Sequence, residues 1–307
     1  MMIKPKAIKH GDTIGIVAPA GPLNKNKFFQ GIKRLKGLGF NVKFENTIFA
    51  QKGYLAGSDA RRAKELHTMF RDQEVQAIFC ARGGYGSARI IPLLDPDIVR
   101  KNPKIFIGFS DITTLHLFIN KECSLVTFHG PMVATDQIAQ MRALTEHSLM
   151  HALTKSSPLP LIPFSKNTII REGLGKGTLT GGCLTLLIHS LGTPYEINTE
   201  NKILFIEDRK EAPYRIDRML FHLKAAGKFE NITGVIFGDI LSHTVKGDNE
   251  EQLRRLIDEV FENKDIPICM NLPFGHALEN LTLPLGINAT IDTTQGRLIF
   301  DESAVTC

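Results

Sequence analysis

The feature that most constrains the fold of this chain is the alternation, through its first half, of short apolar runs with helical patterns. Residues 13–18, 42–45, 76–81, 104–109 and 125–128 read as strands. Between them, residues 24–38 carry Phe28, Ile32 and Leu35 on one helical face, and a segment opened by the capping candidate Ser58 carries Ala63, Leu66 and Phe70. Residues 112–120 supply a further helix. Strands regularly separated by helices predict an α/β fold with a doubly wound, mostly parallel sheet.

The 307 residues exceed what one ordinary core serves, so two domains are expected. Three prolines fall within residues 158–163, where neither a helix nor a central strand tolerates them. The expected division is therefore a nucleophile domain over 1–155, a Pro-rich linker over 156–167 and a second domain over 168–307. Beyond the linker the patterns are mixed. Residues 203–206 and 235–237 look like buried strands, whereas Ile216, Leu220 and Leu223, and again Leu253, Leu256, Ile257 and Val260, mark helices. Ala289 and Ile291 alternate up to a turn at Gln295-Gly296 and continue in Leu298 and Phe300, the pattern of a hairpin. A smaller α+β C-terminal domain with antiparallel strands follows.

A composition 43% hydrophobic and 22% charged, with a mean hydropathy of -0.04, belongs to a globular protein. The net charge of +5 is spread over scattered lysines and arginines, with no basic stripe interleaved with aromatics, so nucleic acid is not an expected partner. The apolar run at 14–18 is too short for a secretory leader, and no segment is long enough to span a bilayer. Five cysteines without a CxxC pair argue against a disulfide framework and a zinc site, which points to the cytoplasm; no metal or other cofactor is expected.

Chemistry enters at the sequence Gly108-Phe109-Ser110-Asp111, where a buried strand must turn sharply into a helix. A serine at such an elbow projects its hydroxyl at the carboxyl edge of the sheet, beside the free amides of a helix N-terminus. Ile112 stands where the usual elbow has a second glycine, so the alternative that Ser110 or Asp111 simply caps the helix stays open. The loop Arg82-Gly83-Gly84-Tyr85-Gly86 follows another strand and reaches the same edge. It lacks the lysine of a phosphate loop and the third glycine of a dinucleotide fingerprint, and supplying an amide to an oxyanion is its better use. A serine nucleophile needs a base and an orienting acid. His116, His189 and His222 fall within helical patterns, whereas His276 lies in a Pro- and Gly-bounded loop and His129 at a strand end; both remain candidates. Glu207 and Asp208 both end an apolar strand, and a period of two points one of them inward.

Several motifs then follow one another along nearly the whole chain: Ile16-Val17-Ala18-Pro19-Ala20-Gly21-Pro22, the glycine loop at 82–86, Gly108-Phe109-Ser110-Asp111 and Thr127-Phe128-His129-Gly130-Pro131. Gly181-Gly182-Cys183-Leu184, the stretch from Glu207 to Arg218 and Pro273-Phe274-Gly275-His276 complete the series. In these the sequence resembles the LD-carboxypeptidase (muramoyltetrapeptide carboxypeptidase) family of serine peptidases, which also includes microcin C immunity hydrolases. The resemblance implies Ser110 as nucleophile, His276 as base and Glu207 as its orienting acid, with the base and acid supplied by the C-terminal domain. It implies an acyl-enzyme route with the amides of Asp111 and Gly84 as oxyanion hole, and murein tetrapeptide or a related muropeptide as partner. Arg82 is the candidate for holding the substrate carboxylate and Tyr85 for lining the substrate; a homodimer is left open. Two rivals stand beside this reading: an aminoacyl sulfamoyl adenylate hydrolase, which would stack adenine on an aromatic in a chain without tryptophan, and a non-catalytic two-lobed binding protein.

Overall fold

The computed structural model describes residues 2–209, 211–240 and 248–307; Met1, Lys210 of the motif at 207–218 and residues 241–247 lie outside the described residues. The apolar runs of the first half become β1 (Thr13–Val17), β2 (Asn41–Lys43), β3 (Ala77–Cys80), β4 (Ile105–Gly108) and β5 (Thr127–His129). Helix α1 (Lys25–Gly37) starts where Asn24 accepts the Lys27 N–H at 3.0 Å, and it buries Phe28, Ile32 and Leu35. Helix α2 (Asp59–Arg71) starts at Ser58, whose hydroxyl accepts the Arg61 N–H at 3.2 Å. Short helices α3 (Ser87–Ile90) and α4 (Pro96–Lys101) follow, then α5 (Thr113–Cys123), in which every residue from Thr113 to Ile119 is buried. Helices α6 (Asp136–Ala139) and α7 (Ala143–Thr154) complete this half.

Strands β1 to β5 pair in parallel in the order β2-β1-β3-β4-β5. The winding reverses between β1 and β3, and the carboxyl ends of strands beside such a reversal are where open α/β sheets place their sites. Ile14, Ile16, Phe79, Phe106, Ile107 and Phe128 form the sheet's share of the core, each at most 1% exposed. Burial of such side chains contributes about 1.5–3 kcal/mol apiece.

The second half forms β6 (Ile162–Pro163), β7 (Ile169–Arg171), β8 (Leu174–Cys183), helix α8 (Leu184–Ser190), β9 (Lys202–Glu207), α9 (Pro213–Ala225), β10 (Gly234–Phe237), α10 (Asp248–Val260) and β11 (Ile268–Cys269). It ends in β12 (Leu283–Leu285) and the expected hairpin of β13 (Asn288–Asp292) and β14 (Arg297–Phe300), with Ala289 opposite Phe300 and Ile291 opposite Leu298. A sheet runs in the order β6-β14-β13-β8-β9-β10-β11-β7. Its outer pairings are antiparallel as expected, but β8, β9, β10 and β11 run parallel to one another. The reason is the connections: α9 lies between β9 and β10, and α10 between β10 and β11, and crossovers through helices return the chain in the same direction. Pro163, which has no N–H to give a ladder, sits in the edge strand β6.

The chain divides into two compact units, and the division departs from the expected boundaries. One comprises Met1–Ser157 together with Leu278–Gly286 and Ser303–Cys307; the other comprises Pro158–Ala277 and Ile287–Glu302. Two C-terminal segments therefore belong with the first half. Strand β12 adds antiparallel to the edge of β5, with Leu283 opposite His129, and Thr306 exchanges backbone hydrogen bonds with Pro5 and Ala7. Such long-range pairings leave no composition signal. Side chains lock the returning segment: the Thr145 hydroxyl accepts the Asn280 N–H at 2.9 Å, Ser148 accepts the Thr282 N–H at 2.9 Å, and the Asn280 amide donates to Gln137 at 3.1 Å. Thr145→Val keeps the shape but leaves the buried Asn280 N–H without this acceptor. It is expected to destabilise the protein by about 1–3 kcal/mol, read as a lowered urea midpoint; an unchanged midpoint would show that the segment is not held this way.

Candidate active site

Strand β4 ends at Gly108, Phe109 is extended, and Ser110 then adopts φ +63° as the first residue of a 3-10 turn, Ser110–Ile112, that leads into α5. A non-glycine residue in the left-handed region costs about 1 kcal/mol or more and persists only where its surroundings dictate it. Here they do. A Cβ on Gly108 would lie 2.9 Å from Ile112 Cγ2 and 3.1 Å from Cys80 Cβ, so Ile112 fills the space that the absent side chain leaves. That explains why the elbow works without a second glycine. Beneath it, the buried His116 donates Nε2–H to the Gly108 carbonyl at 2.8 Å; burial pushes its pKa down to about 4, which keeps the ring neutral. The capping positions of the 3-10 turn and of α5 fall on Phe109 and Ile112, and neither makes a side-chain cap bond. Asp111 instead turns its buried carboxylate to α3, accepting the Ser87 N–H at 2.8 Å, while the Ser87 hydroxyl donates to the Asp111 carbonyl at 2.6 Å.

The glycine loop meets this elbow. A Cβ on Gly83 would stand 3.1 Å from Ser110 Cβ and 3.3 Å from the Asp111 amide nitrogen, so the main chain of Gly83 lies directly against the serine. Gly84 and Gly86 have φ +105° and +125°. The loop is joined to the one after β1: the Gly21 N–H donates to the Gly83 carbonyl at 3.0 Å, and exposed Arg82 donates from Nη1 to the Pro22 carbonyl at 2.6 Å. Tyr85 is half exposed and meets Tyr54 edge to face at 5.5 Å between ring centroids.

Charged residues of α2 that the sequence reading passed over support both loops from below. Arg62, fully buried, donates to the carbonyls of Pro19 and Gly86, the latter at 2.7 Å, and to the Asp59 carboxylate. Glu65 accepts the Ala18 N–H at 2.8 Å and pairs with Arg61; burial pushes its pKa up to about 7. A signal was available, since Arg62 falls on the stripe of Leu66, Met69 and Phe70, where an apolar residue is the norm.

In the other unit, Glu207 is the last residue of β9 and is wholly buried. Its Oε2 lies 2.6 Å from His276 Nδ1, and the His276 side chain is 10% exposed. The geometry has the imidazole donating Nδ1–H to the carboxylate, which leaves Nε2 as the basic nitrogen. Burial works against the charged imidazole, but the Glu207 charge and hydrogen bond outweigh it, and the His276 pKa stands above its ordinary value. The loop admits this contact because Gly275, at φ +104°, has no side chain; a Cβ there would lie 2.7 Å from Glu207 Oε2. Asp208 has a different task. It accepts the Thr185 N–H at 2.8 Å and the Thr185 hydroxyl at 2.7 Å, in the first turn of α8. His129, the other candidate base, is fully buried in β5 with its ring edge-on to Phe109 at 5.8 Å. Among the described residues, no group of three or more His, Cys, Asp or Glu side chains is arranged to hold a metal ion.

The comparisons agree with this architecture. Residues 14–130 match the LD-carboxypeptidase N-terminal domain and residues 176–291 the LD-carboxypeptidase C-terminal domain. The chain is 39% identical over 300 residues to a probable murein peptide carboxypeptidase of Bacillus subtilis, covering 97% of this chain and 94% of the relative. Among solved structures, it is similar to an MccF-like protein from Bacillus anthracis (TM-score 0.90, 28% identity, 98% of this chain and 99% of the other). A muramoyltetrapeptide carboxypeptidase from Oxalobacter formigenes is also similar (TM-score 0.84, 28% identity, 94% and 99%). Matched in both halves and along nearly its full length, the chain belongs to the LD-carboxypeptidase family.

Proposed function

We propose that this protein is a cytoplasmic serine-type LD-carboxypeptidase that removes the C-terminal D-alanine of murein tetrapeptide in cell-wall recycling. The observation that carries the chemistry is the left-handed turn of Ser110 against Gly83, which suits a nucleophile and not a helix cap. The buried Glu207–His276 pair supplies what such a serine needs. The substrate rests on the B. subtilis and O. formigenes relatives.

In the proposed reaction, His276 Nε2 takes the Ser110 proton as Oγ attacks the carbonyl of the terminal peptide bond. Glu207 holds the ring in the tautomer that leaves Nε2 basic and stabilises the imidazolium. The amides of Asp111 and Gly84 receive the developing oxyanion. His276 then protonates the departing nitrogen, D-alanine leaves, and water activated by the same imidazole cleaves the acyl-enzyme and regenerates Ser110. Arg82 pairs with the terminal carboxylate and Tyr85 borders the peptide. A second reading, hydrolysis of aminoacyl sulfamoyl adenylates, is favoured by the likeness to the MccF-like structure; lacking tryptophan, this chain would offer the exposed Tyr54–Tyr85 pair to the base.

Mass spectrometry of murein tetrapeptide incubated with the protein should record loss of one alanine, and Ser110→Ala should reduce the rate by at least about 10³-fold. An active Ser110→Ala variant would refute the nucleophile, and turnover of only an aminoacyl sulfamoyl adenylate would select the second reading. Because His276 must be neutral to act as base and its pKa is raised, kcat/KM should fall with decreasing pH through a midpoint above about 6.5. Glu207→Gln removes the raising charge while burial remains. Its acid midpoint should move to lower pH as kcat drops about 10²–10⁴-fold, and an unmoved midpoint would exclude Glu207 as the partner. Gly275→Ala forces a methyl onto the Glu207 carboxylate and should cut kcat by about 10²-fold in steady-state assays.

A further inference from the structure

Gly86 is gripped on two sides by buried charges. Its carbonyl accepts from Arg62 Nη1 at 2.7 Å, and on its other side the Ser87 N–H donates to the Asp111 carboxylate at 2.8 Å. The Gly86 amide also favours the ionised form of Asp111, against the burial that raises its pKa. Gly86 itself is fixed by space as well as by bonds: at φ +125°, a Cβ would lie 2.5 Å from Leu55 Cδ2 and 3.0 Å from Arg62 Nη1. Three residues earlier the same loop lies on Ser110, and Asp111 is the residue that follows Ser110.

We propose that Arg62 and Asp111 are a pair of positioning residues which, by clamping Gly86 between them, hold the segment 83–86 in register with Ser110. The inference rests on Ser110 being the nucleophile. Arg62 reaches the two loops through their main-chain carbonyls. Its planar fork serves acceptors in three directions, Pro19 O, Gly86 O and Asp59, and a lysine ammonium cannot match that arrangement. The charges compensate each other: Asp59 pairs directly with Arg62, and Arg62 in turn favours ionised Asp111. Removing Arg62 leaves the Gly86 carbonyl to the longer bond from the Arg89 N–H at 3.2 Å, and removing Asp111 takes the carboxylate acceptor from the Ser87 N–H. The oxyanion amides proposed above, those of Gly84 and Asp111, flank the clamped residue along the two chain segments. Loss of register there should therefore slow attack by Ser110 more than it weakens binding.

The test is the second-order rate at which a serine-directed fluorophosphonate labels the full-length protein, read together with amide hydrogen exchange. Arg62→Lys, Arg62→Met and Asp111→Asn should each label about 10- to 100-fold more slowly than wild type. The double variant Arg62→Met/Asp111→Asn should be no slower than the worse single, because both act on one peptide. Exchange should quicken at amides 83–88 in each variant. Lys104→Met provides the comparison for a purely structural loss: Lys104 is equally a buried cation, but it donates to the Met69 carbonyl near the far end of α2. It should lower the melting temperature and leave labelling within about twofold of wild type. A folded Arg62→Met or Arg62→Lys variant that labels at the wild-type rate overturns the proposal. If wild type itself is not labelled at Ser110, the nucleophile reading fails, and unchanged exchange at amides 83–88 in Arg62→Lys then overturns the clamp as well.

Discussion

The left-handed backbone at Ser110 is the constraint around which the N-terminal unit is arranged. A parallel strand that passes directly into a helix has one residue in which to reverse, and a serine at φ +63° is held there only by what surrounds it. Gly108 leaves room for Ile112, His116 ties down the Gly108 carbonyl, and Gly83 brings a second strand's loop onto the serine. The strand order β2-β1-β3-β4-β5 explains why that loop is available: β3 adjoins β4 and borders the reversal in winding, so its carboxyl end opens beside the elbow.

An edge built from main chain carries a cost that the fold meets with buried charge. The loops after β1 and β3 present carbonyls and amides that the sheet does not satisfy, and polar backbone left unpaired in the interior is expensive. Arg62 and Glu65 reach them from one face of α2, the cation taking the carbonyls of Pro19 and Gly86 and the anion the Ala18 amide. Asp111 does the same for the start of α3. Each of these charges has a partner of opposite sign or several hydrogen bonds, the condition under which a buried ion is tolerated.

Much of this was legible in the sequence, for reasons that differ by element. The strands and helices of the first half were legible because a chain buried on both faces of a sheet must be apolar without interruption, and Ser58 marked a helix start by the chemistry of capping. The elbow was legible because few residues turn a strand into a helix so abruptly. What stayed hidden was non-local. Nothing in the composition of 278–286 says that it returns to the first unit, since that depends on Asn280 and Thr282 meeting Thr145 and Ser148 more than a hundred residues away. The parallel core of the second sheet was equally unreadable from its short strands. Arg62 was overlooked because a charged residue on a helix is assigned to solvent by default; its position on the apolar stripe was the contrary sign.

The acidic pair that ends β9 shows how adjacent carboxylates come to do unrelated chemistry. Glu207 and Asp208 differ by one methylene and one residue, but Glu207 is the last residue of β9 and Asp208 already lies beyond it. Glu207 is left with an imidazole as its charged neighbour, in a place too dry to ionise cheaply, so each group's charge depends on the other. Asp208 finds the amide and hydroxyl of Thr185 in the first turn of α8. The selection between them is made by Gly275. Only a residue without a side chain lets the His276 loop close onto Glu207, and a glycine in the left-handed region is also what turns that loop so that the imidazole follows. The chemistry of the pair is thus set by backbone freedom at a residue that takes no part in it.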